Sequence, residues 1–533
     1  MPKPDVILGE RGRAGMLRGF ESIARLLTVT LGPIGGNIVN AREPGGEPEL
    51  LRDGATAVRR IIELPDRVEN SGAMMMRHIV WHMREEVGDG SATTAVLAWI
   101  IAREMHRIIT AGANPMILRH GIEKATAAAV RALDEISEPL EEEERIAAVA
   151  TAATGDAEIG RLLGEMYEIL GPNANIIIEP YIATFHDRAY HEGARFGGGY
   201  VSPYFITDQA RRVAVLDDVH VLVADMSFDS LEGIQNVLHQ VVRSGGKNLL
   251  IICRNMADRV IGVMVANNER DTIHSCATKL KPVGDLRRGT MENIAVLTGG
   301  RALSDKAGHS PEAVMPDDFG QAERVVVGRD YFIIMGGGGD PAVIRKRVAE
   351  MRQRVRTTED REERDMLRDL LKHFSEGIGE LRIGALTEKE RSILRETAEQ
   401  AMKAVTAGME GGVVPGGGAA YLACIPAVEA VEAEGDEALG VRIVARALEE
   451  PMRRIAENAG IHPPLAIAQA LAQGPGYGLD VRSKKIVDML EVGIVDPTAV
   501  VKRALQQAVS GAMMLLTTDA LVLHRKPKES FDP

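Results

Sequence analysis

Between Met16 and Thr28 the apolar positions Met16, Leu17, Phe20, Ile23, Ala24 and Leu27 recur every three or four residues, the spacing of one buried helical face. A glycine and proline turn follows at Leu31 to Gly36. Asn114, a residue suited to capping, precedes Pro115, and Leu118, Ile122, Ala125, Ala129 and Leu133 then predict a second amphipathic helix that ends near Ser137. Glu141 to Glu144 reads as the solvated start of another helix.

The middle of the chain changes character. Asn175 to Pro180, Val219 to Ala224, Asn248 to Cys253, Ile294 to Leu297 and Val325 to Val327 are short β-branched runs set off by Gly, Asp or Pro, the pattern of strands. Helical patterns at Leu231 to Val242 and Met256 to Asn267 lie between them, which predicts an α/β domain. Ala342 to Leu371 is charged and heptad-like, as in a solvated helical hairpin. After Ile378 to Gly384 a second helical region runs to the C-terminus. The two ends resemble each other more than either resembles the middle, so one domain is expected to be split by another inserted in it, with boundaries near 190 and 375.

A length of 533 residues is enough for several cores, at about 150 residues per domain. Sixty-three Lys and Arg against 76 Asp and Glu leave a net charge of −13, which favours neither nucleic acid nor an anionic membrane as partner. The three cysteines, Cys253, Cys276 and Cys424, are scattered and odd in number; they point to core positions in a reducing compartment rather than to a disulfide framework. The opening MPKPDVILGERGR carries charges where a signal peptide would place its apolar stretch, and the longest compact apolar run, Val96 to Ala102, has core length. A soluble, cytoplasmic protein is expected.

No GxxxxGK[ST], GxSxG, HExxH or paired CxxC motif occurs in the sequence. What remains is a set of glycine turns able to hold phosphate: Thr30-Leu31-Gly32-Pro33, Asp53-Gly54, Gly88-Asp89-Gly90-Ser91-Ala92-Thr93-Thr94 and Pro415-Gly416-Gly417-Gly418. The third is the most informative, because a Gly-Asp-Gly turn opening a helix through Ser and Thr offers backbone donors, hydroxyls and one carboxylate for a metal. Taken alone, it also reads as a plain capped helix start.

The order of these turns carries more than any one of them. TVTLGPIGGNIV (Thr28 to Val39), RDGATAVRRI (Arg52 to Ile61), GDGSATTAVLA (Gly88 to Ala98), NPMILRHGIEKA (Asn114 to Ala125), GGYVSPYFI (Gly198 to Ile206), LRRGTMENIAVLTGG (Leu286 to Gly300), GGVVPGGGAAYL (Gly411 to Leu422) and GIVDPTAVVKRALQQA (Gly493 to Ala508) together resemble the group I chaperonins, the GroEL/Hsp60 family, over nearly the whole chain.

The resemblance implies a multidomain α+β chaperonin fold. A mainly α-helical equatorial domain would be split between 1–136 and 410–533, a small intermediate domain between 137–190 and 376–409, and an α/β apical domain would span 191–375. It implies an ATP-dependent molecular chaperone, a chaperonin ATPase, that binds unfolded polypeptides at an apolar apical rim. Folding would proceed inside homo-oligomeric rings of seven, often stacked in pairs, closed by a GroES-like co-chaperonin lid. Carried over by position, ATP would be held by Thr30, Leu31, Gly32 and Pro33, by Arg52, by Gly90, Ser91, Ala92 and Thr93, and by Gly417, Gly478, Leu479, Asp480 and Asp496. Asp89 would hold Mg²⁺, Asp496 would meet the ribose, and Asp53 would lie near the γ-phosphate. The polypeptide site would be Tyr200, Tyr204, Phe205, Leu238, Ile261, Met264 and Val265, residues that periodicity alone would assign to a core.

Several positions depart from the family pattern, which marks a divergent paralogue. Gln400 stands where the family carries a catalytic aspartate; an amide can orient a water but cannot take its proton. Glu396, one turn earlier, and the adjacent Glu399 are candidate substitutes. Ile34 and Gly36 replace basic residues, Arg52 replaces Lys, Ala92 replaces Thr, and the terminal HRKPKESFDP lacks a Gly-Met tail. Two further readings therefore stand beside the first: a ring-forming binder with weak or no hydrolysis, and a subunit that co-assembles with another chaperonin.

Overall fold

The structure, a computed structural model, describes residues 5–40, 49–51, 54–61, 63–172, 174–191, 193–209, 211–358, 360–375 and 377–523. Arg52, Asp53 and the terminal HRKPKESFDP lie outside the described residues. The chain divides into two compact units, one of Met1–Pro172, Pro180–His186 and Ile383–Pro533, the other of Asn173–Glu179 and Asp187–Arg382.

The first unit opens with α1 (Glu10–Thr28), α2 (Gly54–Arg59), α3 (Arg67–Val87), α4 (Ser91–Thr110), α5 (Pro115–Glu135), α6 (Glu143–Thr154) and α7 (Ala157–Leu170). The second contributes α8 (Leu231–Arg243), α9 (Asp258–Glu269), α10 (Gly284–Thr298), α11 (Pro341–Thr357) and α12 (Arg361–Ser375). The first resumes with α13 (Glu388–Gly411), α14 (Ala419–Glu429), α15 (Gly435–Leu448), α16 (Glu450–Asn458), α17 (Pro463–Gln473) and α18 (Thr498–Leu516).

Helix α1 begins earlier than its apolar stripe suggests, because Gly12 and Gly15 carry no side chain to mark the buried face. Helix α5 starts where expected: the Asn114 side chain accepts from the Met116 and Ile117 amides, and Pro115 occupies the first turn. The core of this unit gathers Phe20, Leu27, Met76, Leu97, Ile101, Ile122, Leu133, Val444, Leu505 and Leu515, all at or near zero exposure. Glycines let the helices approach closely. A Cβ on Gly19 would overlap the Glu69 carbonyl where α1 crosses α3, and one on Gly121 would overlap the Glu437 carbonyl where α5 crosses α15.

The second unit is built on a seven-stranded sheet in the order Ala302–Ser304, Ala214–Phe228, Gly320–Val327, Tyr331–Gly337, Gly193–Tyr200, His274–Leu280 and Asn248–Met256. Asn248–Met256 also runs parallel to the far half of Ala214–Phe228, so the strand order returns on itself. Ile294 to Leu297, expected as a strand, is the C-terminal turn of α10. Its buried residues Met291, Ile294, Ala295 and Thr298 fall at helical spacing, and the four-residue window hides that period. Among the strands that periodicity did not reveal is His274–Leu280, whose polar Ser275 and Thr278 are buried with Cys276 and Ala277. Helices α11 and α12 form the expected hairpin, closed by Met351, Leu367 and Leu370. No helix among the described residues is long and apolar enough to cross a membrane.

Candidate functional site

Helix α3 ends and α4 begins at the Gly88-Asp89-Gly90 turn. Gly88 (φ 80°) terminates α3 and Gly90 (φ 82°) precedes α4, both in the left-handed region that side chains strain to enter. Space is closed as well: a Cβ on Gly88 would lie 2.6 Å from the Gln400 carbonyl oxygen, and one on Gly90 2.8 Å from Val500 Cγ1. No side chain caps α4. The buried Ser91 hydroxyl donates to the Val80 carbonyl (3.3 Å) and the Thr94 hydroxyl to the Gly90 carbonyl (2.8 Å), while Ala92 and Thr93 are half-buried. Asp89 is exposed, and its Oδ1 accepts from the Gly90 amide at 2.6 Å.

A segment more than three hundred residues further on meets this turn. Val413–Pro415 pairs antiparallel with Val495–Pro497, which sets Val414 opposite Asp496. The Gly416 amide donates to the Ile494 carbonyl (2.9 Å). Gly417 (φ 63°) and Gly418 (φ 84°) then lead into α14, which again has no side-chain cap. Burial pushes the Asp496 carboxyl up to about 7, the Asp89 charge pushes the same way, and the Gly417 amide opposes both. Asp89, Asp496 and Gly417 are thus brought together beside the starts of two helices whose first amides no side chain claims.

The loop after α1 is pinned to the same region. Asn458 Nδ2 donates to the Thr28 (2.8 Å) and Leu31 (2.9 Å) carbonyls, and the Thr30 hydroxyl turns back to the Leu27 carbonyl (2.9 Å). Leu31, Leu479, Val96 and Ile455 share one apolar cluster, with Ala92 against it. Gly32 (φ 88°) sits on Ile455, and Pro33 is exposed. Gly478 has no room for a side chain beside Met489 Cγ (2.8 Å from a Cβ). Asp480 has partners in its own turn. Hydrogen bonds from the Ser483 side chain and the Arg482 and Ser483 amides hold its carboxyl below the usual range, so it closes the hairpin turn after Tyr477–Asp480.

Helix α13 brings Gln400 and Glu396 to the back of the Gly88 turn. Gln400 Oε1 is buried and has no hydrogen-bond partner among the described residues. Glu396 accepts from Arg84 at 2.7 Å, and Arg84, nearly fully buried, also donates to the Thr56 hydroxyl (2.7 Å). Glu396, one of the two carboxylates offered as a substitute base, is therefore held in an ion pair. Partial burial, with the Glu396 charge, raises the Glu399 carboxyl, and Arg395 and Lys403 oppose it. Arg84 and Asn458 were not legible as site-shaping residues; their partners lie 312 and more than 400 residues away.

In the second unit the nominated polypeptide-binding residues separate. Phe205, Leu238, Ile261 and Met264 are 1%, 7%, 9% and 0% exposed and belong to the core around the sheet. The resemblance implies an apolar rim at those four positions; in the structure each lies on the inward side of α8, α9 or the Pro203–Phe205 turn, as periodicity alone would assign it. Tyr200 and Val265 are half-buried against that core, and Tyr204 is 78% exposed. Among the described residues no three His, Cys, Asp or Glu side chains form a cluster able to hold a metal ion.

A family model described as the TCP-1/cpn60 chaperonin family matches residues 23–526. Among solved structures, the chaperonin gp146 of bacteriophage EL 2 (Pseudomonas aeruginosa), crystallised in the presence of ATP-BeFx, superposes with a TM-score of 0.68 over 98% of this chain and 99% of that one at 17% identity, a likeness of fold.

Proposed function

The chain belongs to the TCP-1/cpn60 chaperonin family, and from that premise we propose that it is an ATP-dependent chaperone whose nucleotide site is the neighbourhood of Asp89, Asp496 and the glycine turns. One observation carries the reading: the starts of α4 and α14, from opposite ends of the chain, converge without side-chain caps beside a mutually repelling pair of carboxylates. Uncapped helix N-termini favour phosphate, and like charges held together favour a cation between them. With no cluster of three protein ligands among the described residues, Mg²⁺ would be held by Asp89 together with phosphate oxygens and water, its usual mode beside a polyphosphate. Thr30 to Pro33, Gly90 to Thr93 and Gly417 would line the phosphates; Gly478 and Leu479 would face the base, Asp496 the ribose, and Arg52 and Asp53 the γ-phosphate.

ATP, when bound, supplies an anhydride whose cleavage can drive a conformational cycle. The Gln400 amide oxygen would orient a water; no carboxylate at that position takes its proton, and Glu396 is engaged by Arg84. That observation favours a second reading for the same site, a slow nucleotide switch in a ring-forming or co-assembling binder. Clients would meet the chain at Tyr204, with the half-buried Tyr200 and Val265 as further candidates. The five-segment division into equatorial, intermediate and apical domains, seven-membered rings, a co-chaperonin lid and a cytoplasmic setting complete the proposal. Burial pushes the thiols of Cys253 and Cys424 up to about 12, as in core cysteines.

Steady-state ATP hydrolysis with and without a denatured client tests the reading. We expect measurable turnover that responds to client and is lost in Asp89→Ala. Binding of nucleotide without turnover selects the second reading, and hydrolysis unchanged by Asp89→Ala overturns both.

A further inference from the structure

Helix α11 presents three different faces. Ile344, Val348, Met351 and Val355, at i, i+4, i+7 and i+11, form its inner apolar row, with Met351 and Val355 packed in the hairpin core. Arg347 and Arg354, seven apart, pair with Glu292 (2.7 Å) and Glu363 of the same unit. Arg345, Arg352 and Arg356, with Ala349 between them, repeat the apolar spacing one residue later and so form a separate row. All three are exposed, and among the described residues none makes an ion pair, nor does the neighbouring Lys346. The row spans about 16 Å at 1.5 Å per residue. Glu350 is the only acidic residue of α11, in a chain whose net charge is −13. Like charges one and two turns apart repel, so this face costs the isolated helix stability.

The first unit carries the opposite surface. Glu138 and Glu142 are paired with Arg145, and Glu165 with Arg161. Glu141 and Glu144 at the start of α6 are exposed, and Glu168 at the end of α7 is exposed and hydrogen-bonded to another carboxylate, Glu143. That contact, with the charges of Glu165 and Glu144, raises the Glu143 carboxyl, the mark of an overcrowded acidic cluster. Glu168 also lies in the last turn of α7, where the helix dipole disfavours an anion and no basic residue offsets it.

We propose that the Arg345, Arg352 and Arg356 row of one copy docks on the Glu141, Glu144 and Glu168 cluster of the next copy, a head-to-tail contact between subunits. The proposal rests on the reading that the chain assembles. Each copy offers one surface of each sign, so the contact is heterologous, the kind that forms a ring where its rotation closes. Guanidinium groups suit carboxylates because they can bind them in two parallel hydrogen bonds. Such contacts weaken with salt.

The test uses two full-length variants, R345E/R352E/R356E and E141K/E144K/E168K, with native mass measured against protein concentration at low and high salt. Each variant alone brings like charges together and is expected to assemble at least about tenfold more weakly than wild type. A mixture of the two restores opposite charges at every junction between unlike chains, so mixed assemblies containing both are expected. Assembly of either variant at wild-type concentration overturns the contact while leaving assembly itself intact. Failure of the mixture to form any species heavier than either variant forms alone also overturns it, since a pairing within one chain would not be rescued in trans; recovery in a single chain bearing all six changes, without any association in the mixture, identifies that internal pairing. A wild type that stays at the mass of one chain throughout overturns the contact and the assembly reading together.

Discussion

The two units treat the residues nominated by family resemblance in opposite ways. In the helical unit, turns at Thr30 to Pro33, Gly88 to Thr93 and Gly416 to Gly418 come from remote stretches and meet at Asp89 and Asp496. In the sheet-centred unit, four of the seven nominated apolar residues sink into the core and leave Tyr204 exposed. The difference lies in what each residue type can do. A left-handed glycine is required by the turn itself, whatever the turn binds, so such a motif folds to the same local geometry on either reading. An aliphatic side chain at helical spacing serves a core and a binding rim equally well, and burial is the commoner outcome.

The sharpest way to break this contrast is a neighbouring pair of substitutions. Phe205→Ala is expected to cost about 3–5 kcal/mol in denaturant unfolding, because it empties a fully packed position, whereas Tyr204→Ala should stay within about 0.5 kcal/mol. Equal costs would erase the distinction drawn between core and rim. On the nucleotide side, Gln400→Asp is expected to raise the hydrolysis rate roughly a hundredfold by supplying a proton acceptor. An unchanged rate would mean that another group, such as Glu399, already takes the proton.

A smaller effect follows from the Asp496 carboxyl, raised to about 7 by burial and by Asp89. The nucleotide-free native state holds a proton that the unfolded chain, with an aspartate near 3.9, has released. Stability from this group is therefore complete below about pH 4 and is lost as pH rises through about 7. Asp496→Asn should be the more stable protein at pH 8, by about 1–2 kcal/mol once partial exposure is discounted, with the advantage gone near pH 4. Thermal unfolding of both proteins at the two pH values checks it, and an advantage that does not change with pH would deny the carboxylate repulsion.

Much of this was legible in the sequence, for reasons that differ by element. Asn114 and Pro115 announce α5 because capping is local chemistry, and the Leu231–Arg243 helix follows its apolar spacing. The strand expected at Ile294 to Leu297 fails because a four-residue apolar window cannot separate periods of 2 and 3.6, and only the longer span of α10 shows which applies. The commitment of Asp480 to its own turn, and of Glu396 to Arg84, could not be read in advance; each depends on which polar partner the fold delivers.

The claim on which the rest depends is that one magnesium nucleotide joins the two ends of the chain at Asp89 and Asp496. Calorimetric titration of ATP with Mg²⁺ into the full-length protein, beside Asp89→Ala, measures it directly. The account predicts one site per chain for wild type and binding weakened at least about tenfold in the variant. No binding heat at millimolar nucleotide, or equal affinity in the two proteins, would contradict it.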